Sequence, residues 1–132
     1  MDYEEFYINY VSIYQDYIHY FYLPNQGFIV WRMGTGENVE LLHIQTFEKG
    51  KGHGRKLFYS MLEDMVDSRP YYSVFGFTRI SNEEAQAFYG ALGFDLQEVR
   101  GVYKDGGAIL FSQNYEILVE KMNEYADYSQ EQ

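Results

Sequence analysis

The 132-residue sequence carries ten Lys and Arg against twenty Asp and Glu, a formal net charge of −10, and it contains no Cys. The length predicts one domain with its own core. The missing Cys excludes disulfides and thiolate chemistry, and the acidic charge disfavours nucleic-acid binding and favours cationic partners. Because the sequence shows no signal segment and no apolar run of membrane-spanning length, we expect a cytoplasmic protein that binds no membrane.

The N-terminal segment, residues 1–23, is rich in aromatic residues at helical spacing. These residues recur at steps of three and four and are Tyr3, Tyr7, Tyr10, Tyr14, Tyr17 and Phe21. Such a stripe predicts one long or two short helices whose rings pack on the core. A turn that contains Pro24 and Gly27 ends the segment.

A β-hairpin and a helix are predicted next. Residues 28–33 and 39–46 are predicted as strands on either side of the Gly-rich turn at 34–38. A helix is predicted from Gly54 to about Pro70. The apolar residues on one face of this helix are Leu57, Phe58, Met61, Leu62 and Met65.

The second half of the chain is predicted to hold three strands and two helices. Residues 71–80 are aromatic and β-branched, which predicts a central strand buried on both faces. A capping-box pattern at 81–84 begins a helix that Gly93 ends. The remaining elements are a hairpin of 96–103 and 108–113 around a turn at 104–107, a closing helix at 115–128 and a frayed tail at 129–132. This order predicts a single α/β (α+β) domain over 1–132, in which one mixed sheet within 28–113 is flanked by helices.

A Gly-rich turn before the first long helix concentrates positive charge. Four of the ten Lys and Arg lie within residues 46–57, namely Lys49, Lys51, Arg55 and Lys56. Gly50, Gly52 and Gly54 let backbone amides approach an anion, and a helix start adds N–H groups and a positive dipole end. Cations in a first helical turn oppose that dipole, so we interpret them as contacts to a bound polyphosphate. The alternative is a solvated basic helix start with structural glycines.

Two nucleotide-binding signatures do not fit this turn. A Walker loop requires two glycines separated by four residues and then Lys followed by Ser or Thr. A Rossmann turn requires G-x-G-x-x-G and an acidic residue at the end of the next strand. This sequence has G-x-G-x-G, and its next predicted strand ends in Thr-Arg-Ile at 78–80. Both nucleotide-binding interpretations are therefore disfavoured.

Two motifs resemble those of the GNAT superfamily of N-acetyltransferases. Residues 49–54, Lys-Gly-Lys-Gly-His-Gly, match its acetyl-CoA signature of Gln or Arg, two residues, Gly, one residue, then Gly or Ala, except that Lys stands first. Residues 82–94, Asn-Glu-Glu-Ala-Gln-Ala-Phe-Tyr-Gly-Ala-Leu-Gly-Phe, match a second motif of Asn, Ala, Phe-Tyr and Leu-Gly-Phe. The resemblance covers roughly residues 38–95. It implies a GNAT-like acyl-CoA N-acyltransferase fold with acetyl-CoA as cofactor and, in so short a chain, a missing outer strand.

The resemblance also implies roles for individual residues. The amides of 51–55 would hold the pyrophosphate, the backbone of 44–46 would pair with the pantetheine arm, and Asn82 would lie near that arm. Tyr89 is the implied general acid for the leaving sulfur. The cofactor-binding residues expected on this basis are Ile44, Gln45, Thr46, Lys49, Gly50, Lys51, Gly52, His53, Gly54, Arg55, Lys56, Asn82, Phe88 and Tyr89.

The general base is predicted on the strand before the glycine turn, where many family members are known to carry a Glu or His. Glu40 alternates with Leu42 and Ile44, so these three residues are expected to share one face. Apolar neighbours there would raise the proton affinity of the carboxylate, which makes Glu40 the predicted base. His43 is expected on the other face. Three His without Cys or H-x-x-x-H spacing do not indicate a metal site.

The predicted function is direct transfer of an acetyl group from acetyl-CoA to a primary amine, since no motif for a covalent intermediate is present. The acidic charge favours a cationic small molecule or a lysine of a basic protein as the acceptor. The alternative is a catalytically inactive CoA-binding or protein-interaction module that keeps the fold and docks through its aromatic N-terminal segment. A homodimer is compatible with the sequence.

Overall fold

The computed structural model describes residues 1–14, 17–66 and 71–131, with side chains for all of these except Val66 and 127–131. The chain divides into two compact units, the N-terminal unit Met1–Pro70 and the C-terminal unit Tyr71–Gln132. Each unit contains three strands among its described residues. Within the described residues, no helix combines the length and the apolar character needed to cross a membrane.

The N-terminal segment is helical only at its start. Helix α1 spans Tyr3–Phe6, and the Asp2 side chain caps it by accepting a hydrogen bond from a backbone amide at 2.9 Å. A π-helical turn follows over Tyr7–Val11, and strand β1 then spans Ile18–Leu23. The predicted helix is therefore wrong at 18–23, and its residues 15–16 lie outside the described part of the chain. Antiparallel pairing of β1 overrides the helical spacing of the rings.

An antiparallel three-stranded sheet forms the centre of the N-terminal unit. Strand β2 (Gly27–Met33) pairs with β1 on one side and with β3 (Asn38–Thr46) on the other. The predicted hairpin of β2 and β3 is present, and the Gly34 amide closes it by donating to the Asn38 carbonyl oxygen at 2.7 Å. Strand β1 occupies an outer position in this sheet, and the expected loss of one of the family's outer strands stays a prediction.

Helical segments cover both faces of this sheet. Phe6 and Val11 pack with Phe28 and Val30 on one face. Helix α2 spans His53–Val66 and packs on β2 and β3. All five apolar residues predicted for its inner face are buried. The predicted end of this helix at 67–70 lies outside the described residues.

The C-terminal unit contains the predicted strand, helix and hairpin. Strand β4 (Ser73–Arg79) precedes helix α3 (Glu83–Leu92), which ends at Gly93 with a φ of 103°. Strands β5 (Asp95–Tyr103) and β6 (Gly106–Asn114) form the hairpin, and β6 pairs antiparallel with both β5 and β4.

Two details of the C-terminal unit differ from the predictions. Residues of β4 alternate between buried and half-buried, so only one face of this strand is fully enclosed. Helix α4 spans Tyr115–Glu131. The closing helix is therefore longer than predicted, and the residues expected to fray at 129–131 are helical.

Candidate functional site

The glycine turn of the N-terminal unit has a backbone that only glycine adopts without strain. Gly50 has a φ of 75° and Gly52 a φ of 74°, and a Cβ added to either would meet nothing within 4 Å. Helix α2 begins immediately afterwards, with the Lys56 amide donating to the Gly52 carbonyl oxygen at 3.1 Å. Two left-handed glycines before a helix start leave amide groups open toward solvent, which suits an anion.

His53, the first residue of α2, adds an unsatisfied polar atom to this turn. Its Nδ1 is buried and has no hydrogen-bond partner among the described residues. Buried polar atoms without partners are rare and mark positions that a ligand can complete. A phosphate oxygen would satisfy this nitrogen in its N–H form, so the turn fits a phosphate-bearing cofactor by an observation independent of its glycines.

The positively charged side chains in and after the turn differ in their contacts. The Arg55 guanidinium donates to the Tyr59 hydroxyl at 2.9 Å, and the Lys56 ammonium donates to Gln26 Oε1 at 3.2 Å. Lys51 is exposed just before the helix. The first turn of α2 contains no acidic residue that would balance these charges against the helix dipole.

A β-bulge in β3 changes which residues share a face. His43 pairs with Val30 and Leu41 pairs with Trp31, so Leu42 is an extra residue between them. Glu40 and His43 therefore lie on the same face, while Ile44 lies on the opposite one. The prediction that Glu40 shares a face with Ile44 and that His43 points away is wrong, because a bulge interrupts the alternation of period two.

Glu40 is held by an ion pair with its cross-strand neighbour. Arg32 lies directly opposite it in β2, and its Nε and Nη2 both lie 3.1 Å from Glu40 Oε1. The two side chains are mostly buried, with exposed fractions of 27% for Arg32 and 18% for Glu40. The predicted base is thus a paired carboxylate and not one surrounded by apolar side chains.

His43 makes a short hydrogen bond to the N-terminal segment. Its Nε2 lies 2.6 Å from the Tyr14 hydroxyl oxygen, and the Tyr10 ring stands edge-on to its imidazole at a centroid distance of 5.0 Å. Burial lowers the pKa of His43 below its usual value. Burial also raises the pKa of Tyr14, an effect that Arg32 opposes and Glu40 reinforces.

The residues predicted to pair with the pantetheine arm lie at the end of β3. Ile44, Gln45 and Thr46 pair with the first residues of β2. At Gly27 the two backbones are so close that an added Cβ would lie 2.1 Å from the Gln45 carbonyl oxygen. Tyr10 donates from its hydroxyl to Gln45 Oε1 at 3.4 Å.

In the C-terminal unit, Asn82 is the N-cap of α3. Its side-chain oxygen accepts a hydrogen bond from the Ala85 amide at 3.0 Å, so the cap lies one residue after Ser81, where the capping-box pattern begins. Gln86 supports the same turn by donating to the Ile80 carbonyl oxygen at 2.9 Å. Asn82 therefore has a structural role, and its predicted place beside the cofactor stays a prediction.

Tyr89 lies in the core of the C-terminal unit. Its ring stacks on Phe111 with centroids 3.7 Å apart, Phe94 stands edge-on at 5.8 Å, and Phe88 is the adjacent half-buried ring. Only 7% of Tyr89 is exposed. Burial, reinforced by Tyr103, raises the pKa of its hydroxyl well above the usual value. A phenol in such surroundings stays protonated and can act as a proton donor, not a base.

The structure brings the predicted residues together within each unit. The N-terminal unit combines the glycine turn with a polar face at β3, and the C-terminal unit carries Phe88 and Tyr89 on α3 and Asn82 at its N-cap. Two polar residues were missed: Arg32, which the hairpin register places opposite Glu40, and Tyr14, for which the predicted helix of its segment left no signal. Among the described residues, no group of three metal-ligating side chains occurs.

Comparisons with solved structures confirm the predicted fold class. Ard1 from Thermoplasma volcanium matches at 25% identity and a TM-score of 0.58, over 67% of this chain and 62% of that chain. A GNAT-family acetyltransferase from Bacillus cereus matches at 23% identity and a TM-score of 0.55, over 67% and 62%. Arabidopsis thaliana NAA60, solved with acetyl-CoA, matches at 17% identity and a TM-score of 0.58, over 67% and 64%.

The chain has the GNAT fold, and its resemblance to the GNAT superfamily is confirmed. The matches span less than two thirds of the length of these three chains. No protein-family model and no curated protein sequence matches this chain.

Proposed function

We propose that this protein is an acetyl-CoA-dependent N-acetyltransferase that acts on a primary amine. The observation that carries the proposal is the glycine turn before α2, where Gly50 and Gly52 adopt left-handed backbone angles and His53 has an unsatisfied buried nitrogen. Its similarity to solved N-acetyltransferases supports the reaction class, and the acetyl-CoA bound in NAA60 supports the cofactor.

The cofactor is proposed to bind chiefly to the N-terminal unit. The amides of residues 51–55 would receive its pyrophosphate, with Lys49, Lys51 and Lys56 supplying positive charge. The backbone of residues 44–46 would pair with its pantetheine arm. Acetyl-CoA supplies a thioester whose carbonyl carbon is open to attack by an amine.

Tyr89 is proposed as the general acid. Departure of a thiolate requires a proton, and a donor with a strongly raised pKa remains protonated at every physiological pH. The buried stack on Phe111 holds the ring in one orientation, which supports this role because a fixed hydroxyl would need no search among rotamers.

Glu40 and His43 are the two candidate groups for the acceptor amine on β3, because the bulge places them on one face. A carboxylate at this position also favours a cationic acceptor, in keeping with a net charge of −10. The proposed acceptor is a small cationic amine or a lysine of a basic peptide, and transfer is direct. Cytoplasmic location and a homodimer remain predictions from the sequence.

The proposal is tested by thiol release from acetyl-CoA in the presence of spermidine, a lysine ester and a lysine-rich peptide. Amine-dependent release that falls at least about 100-fold in Tyr89→Phe, with unchanged CoA affinity, supports the assignment. The substituted phenylalanine ring can keep the stack on Phe111, so folding is preserved and the lost hydroxyl is the only change. Tight CoA binding with no turnover on any amine would refute it.

One observation favours the inactive CoA-binding module as a second candidate. Both predicted catalytic residues have structural partners, since Tyr89 is a stacked core ring and Glu40 is ion-paired to Arg32. That candidate predicts CoA binding equal to the wild type in Tyr89→Phe and Glu40→Gln and no acetyl transfer in any variant.

A further inference from the structure

The N-terminal unit contains a tyrosine–histidine contact that neither motif includes. The Tyr14 hydroxyl oxygen lies 2.6 Å from His43 Nε2, which is a short hydrogen bond. Tyr14 belongs to the N-terminal segment and His43 to the bulged part of β3. The contact therefore joins that segment to the strand that leads into the glycine turn.

Charged and aromatic groups surround this pair. The Tyr10 ring stands edge-on to His43, and the Arg32 guanidinium carbon lies 5.5 Å from the centroid of the Tyr14 ring. Arg32 is itself held by Glu40 at 3.1 Å. The order of contacts along the face is thus Glu40, Arg32, Tyr14 and His43.

The protonation states of the pair follow from these surroundings. The lowered pKa of His43 keeps its imidazole neutral at physiological pH, with one N–H and one lone pair. The raised pKa of Tyr14 keeps its phenol protonated. The relay proposed below requires the Tyr14 O–H to donate to Nε2, with the imidazole proton on Nδ1.

We propose that Tyr14 and His43 form a proton relay that deprotonates the acceptor amine. The relay rests on the proposed acetyl transfer and adds to it the identity of the proton acceptor. As the ammonium group of the acceptor gives a proton to the Tyr14 oxygen, the Tyr14 proton moves to His43 Nε2, which leaves a neutral amine and an imidazolium. The imidazolium later releases its proton to water.

The remaining steps balance with this relay. The neutral amine forms a C–N bond to the thioester carbonyl carbon, the C–S bond breaks, and the departing thiolate takes up a proton. The nitrogen of the new amide loses its second proton, which balances the proton taken up by the thiolate. One proton is released to solvent for each amine acetylated.

The ion pair of Glu40 and Arg32 has a defined part in this arrangement. Negative charge develops on the Tyr14 oxygen while its proton moves, and the guanidinium beside the ring stabilises that charge. Glu40 holds Arg32 in place and is a positioning residue. The relay thus involves all four side chains, whereas a mechanism with Glu40 alone as the base does not involve the Tyr14–His43 hydrogen bond.

Kinetics with acetyl-CoA and spermidine test the relay. We expect Tyr14→Phe and His43→Gln each to lower kcat about 100-fold, and the double variant to be no worse than the single ones, because the two residues act as a unit. Tyr7→Phe is the matched control: it removes a hydroxyl from the same segment, and its activity should equal the wild type. Glu40→Gln should lower kcat less than Tyr14→Phe does.

The pH dependence and the imidazole tautomer give readouts that a merely structural role would not move. When kcat/KM is plotted against pH, its rising limb should have the same midpoint for amines of different basicity. This limb should be absent in His43→Gln. Nitrogen NMR of the ligand-free protein should show the Nδ1–H tautomer in the wild type and a mixture of tautomers in Tyr14→Phe.

The outcomes separate the relay from the reaction itself. Wild-type turnover together with full activity in Tyr14→Phe overturns the relay and leaves the proposed function intact. Loss of activity in Glu40→Gln with full activity in His43→Gln overturns it in favour of Glu40 as the base. An Nε2–H tautomer in the wild type also contradicts it, and no thiol release from the wild type with any amine overturns both proposals.

Discussion

Lys51 offers a sharp test of the glycine turn, because it is exposed, precedes α2 directly and is not one of the cations with a partner described above. A charge pair 4 Å apart is worth about 1 kcal/mol when water surrounds it. Lys51→Gln should therefore weaken CoA binding about fivefold at low salt. The Debye length falls from about 10 Å at 0.1 M salt to about 3 Å at 1 M, so the difference should nearly vanish at high salt.

The same substitution should not destabilise the ligand-free protein. A cation at a helix N-terminus opposes the macrodipole by roughly 0.3–1 kcal/mol, so its removal should leave the melting temperature unchanged or raise it by about 1–3 °C. Titration calorimetry with CoA at two salt concentrations and thermal unfolding without ligand measure both effects. Lys104→Gln, in the exposed turn before β6, changes the net charge equally and should alter neither. A lower melting temperature in Lys51→Gln, or equal CoA affinity at low salt, would contradict the phosphate role.

Three further predictions concern features of the two units. Asn82→Ala should lower the free energy of unfolding by about 1 kcal/mol, because the helix cap is lost. Asn82→Ser should keep most of the stability, because Ser can also cap a helix. A lower CoA affinity in the Ser variant would therefore indicate a contact between Asn82 and the cofactor. Gly27→Ala should cost about 3 kcal/mol or more in urea unfolding, because its Cβ would lie 2.1 Å from a backbone oxygen of β3, while Gly106→Ala, with open space around it, should cost little. Because the pKa of His43 is lower in the folded protein, the unfolded chain binds more protons below about pH 6.5. The free energy of unfolding should therefore fall as the pH drops from about 7.5 to 5. His43→Gln should make the free energy of unfolding less dependent on pH over this range.

Local signals in the sequence were sufficient for much of the fold. The turn at 104–107, the helix start at 81–84 and the stop at Gly93 each depend on the chemistry of a few neighbouring residues, and the structure has all three, with the cap at Asn82. The glycine turn could also be predicted from the sequence, since only glycine tolerates the backbone angles of Gly50 and Gly52. These features need no knowledge of distant contacts.

The predictions were wrong where contacts between residues distant in the sequence determine the local structure. The residues of β1 satisfy a helical stripe, but Ile18, Tyr20 and Tyr22 also alternate, and their pairing with β2 selects the strand. The bulge at Leu42 has no glycine or other local marker, so its effect on Glu40 could not be foreseen. One inserted residue therefore places Glu40 and His43 on one face of β3 and Ile44 on the other.

The packing of Tyr89 shows why a core aromatic and a proton donor need not be alternatives. The ring is buried against Phe111 at 3.7 Å, and the desolvation that this packing imposes is the largest cause of the raised pKa of the hydroxyl. The same burial that stabilises the C-terminal unit thus keeps the phenol protonated, as the proposed role of Tyr89 as a proton donor requires. His43 shows the complementary effect, because burial of an imidazole lowers its pKa and keeps the ring ready to accept a proton. Burial therefore shifts the pKa values of the two side chains in opposite directions, which suits the proposed acid Tyr89 and the proposed base His43.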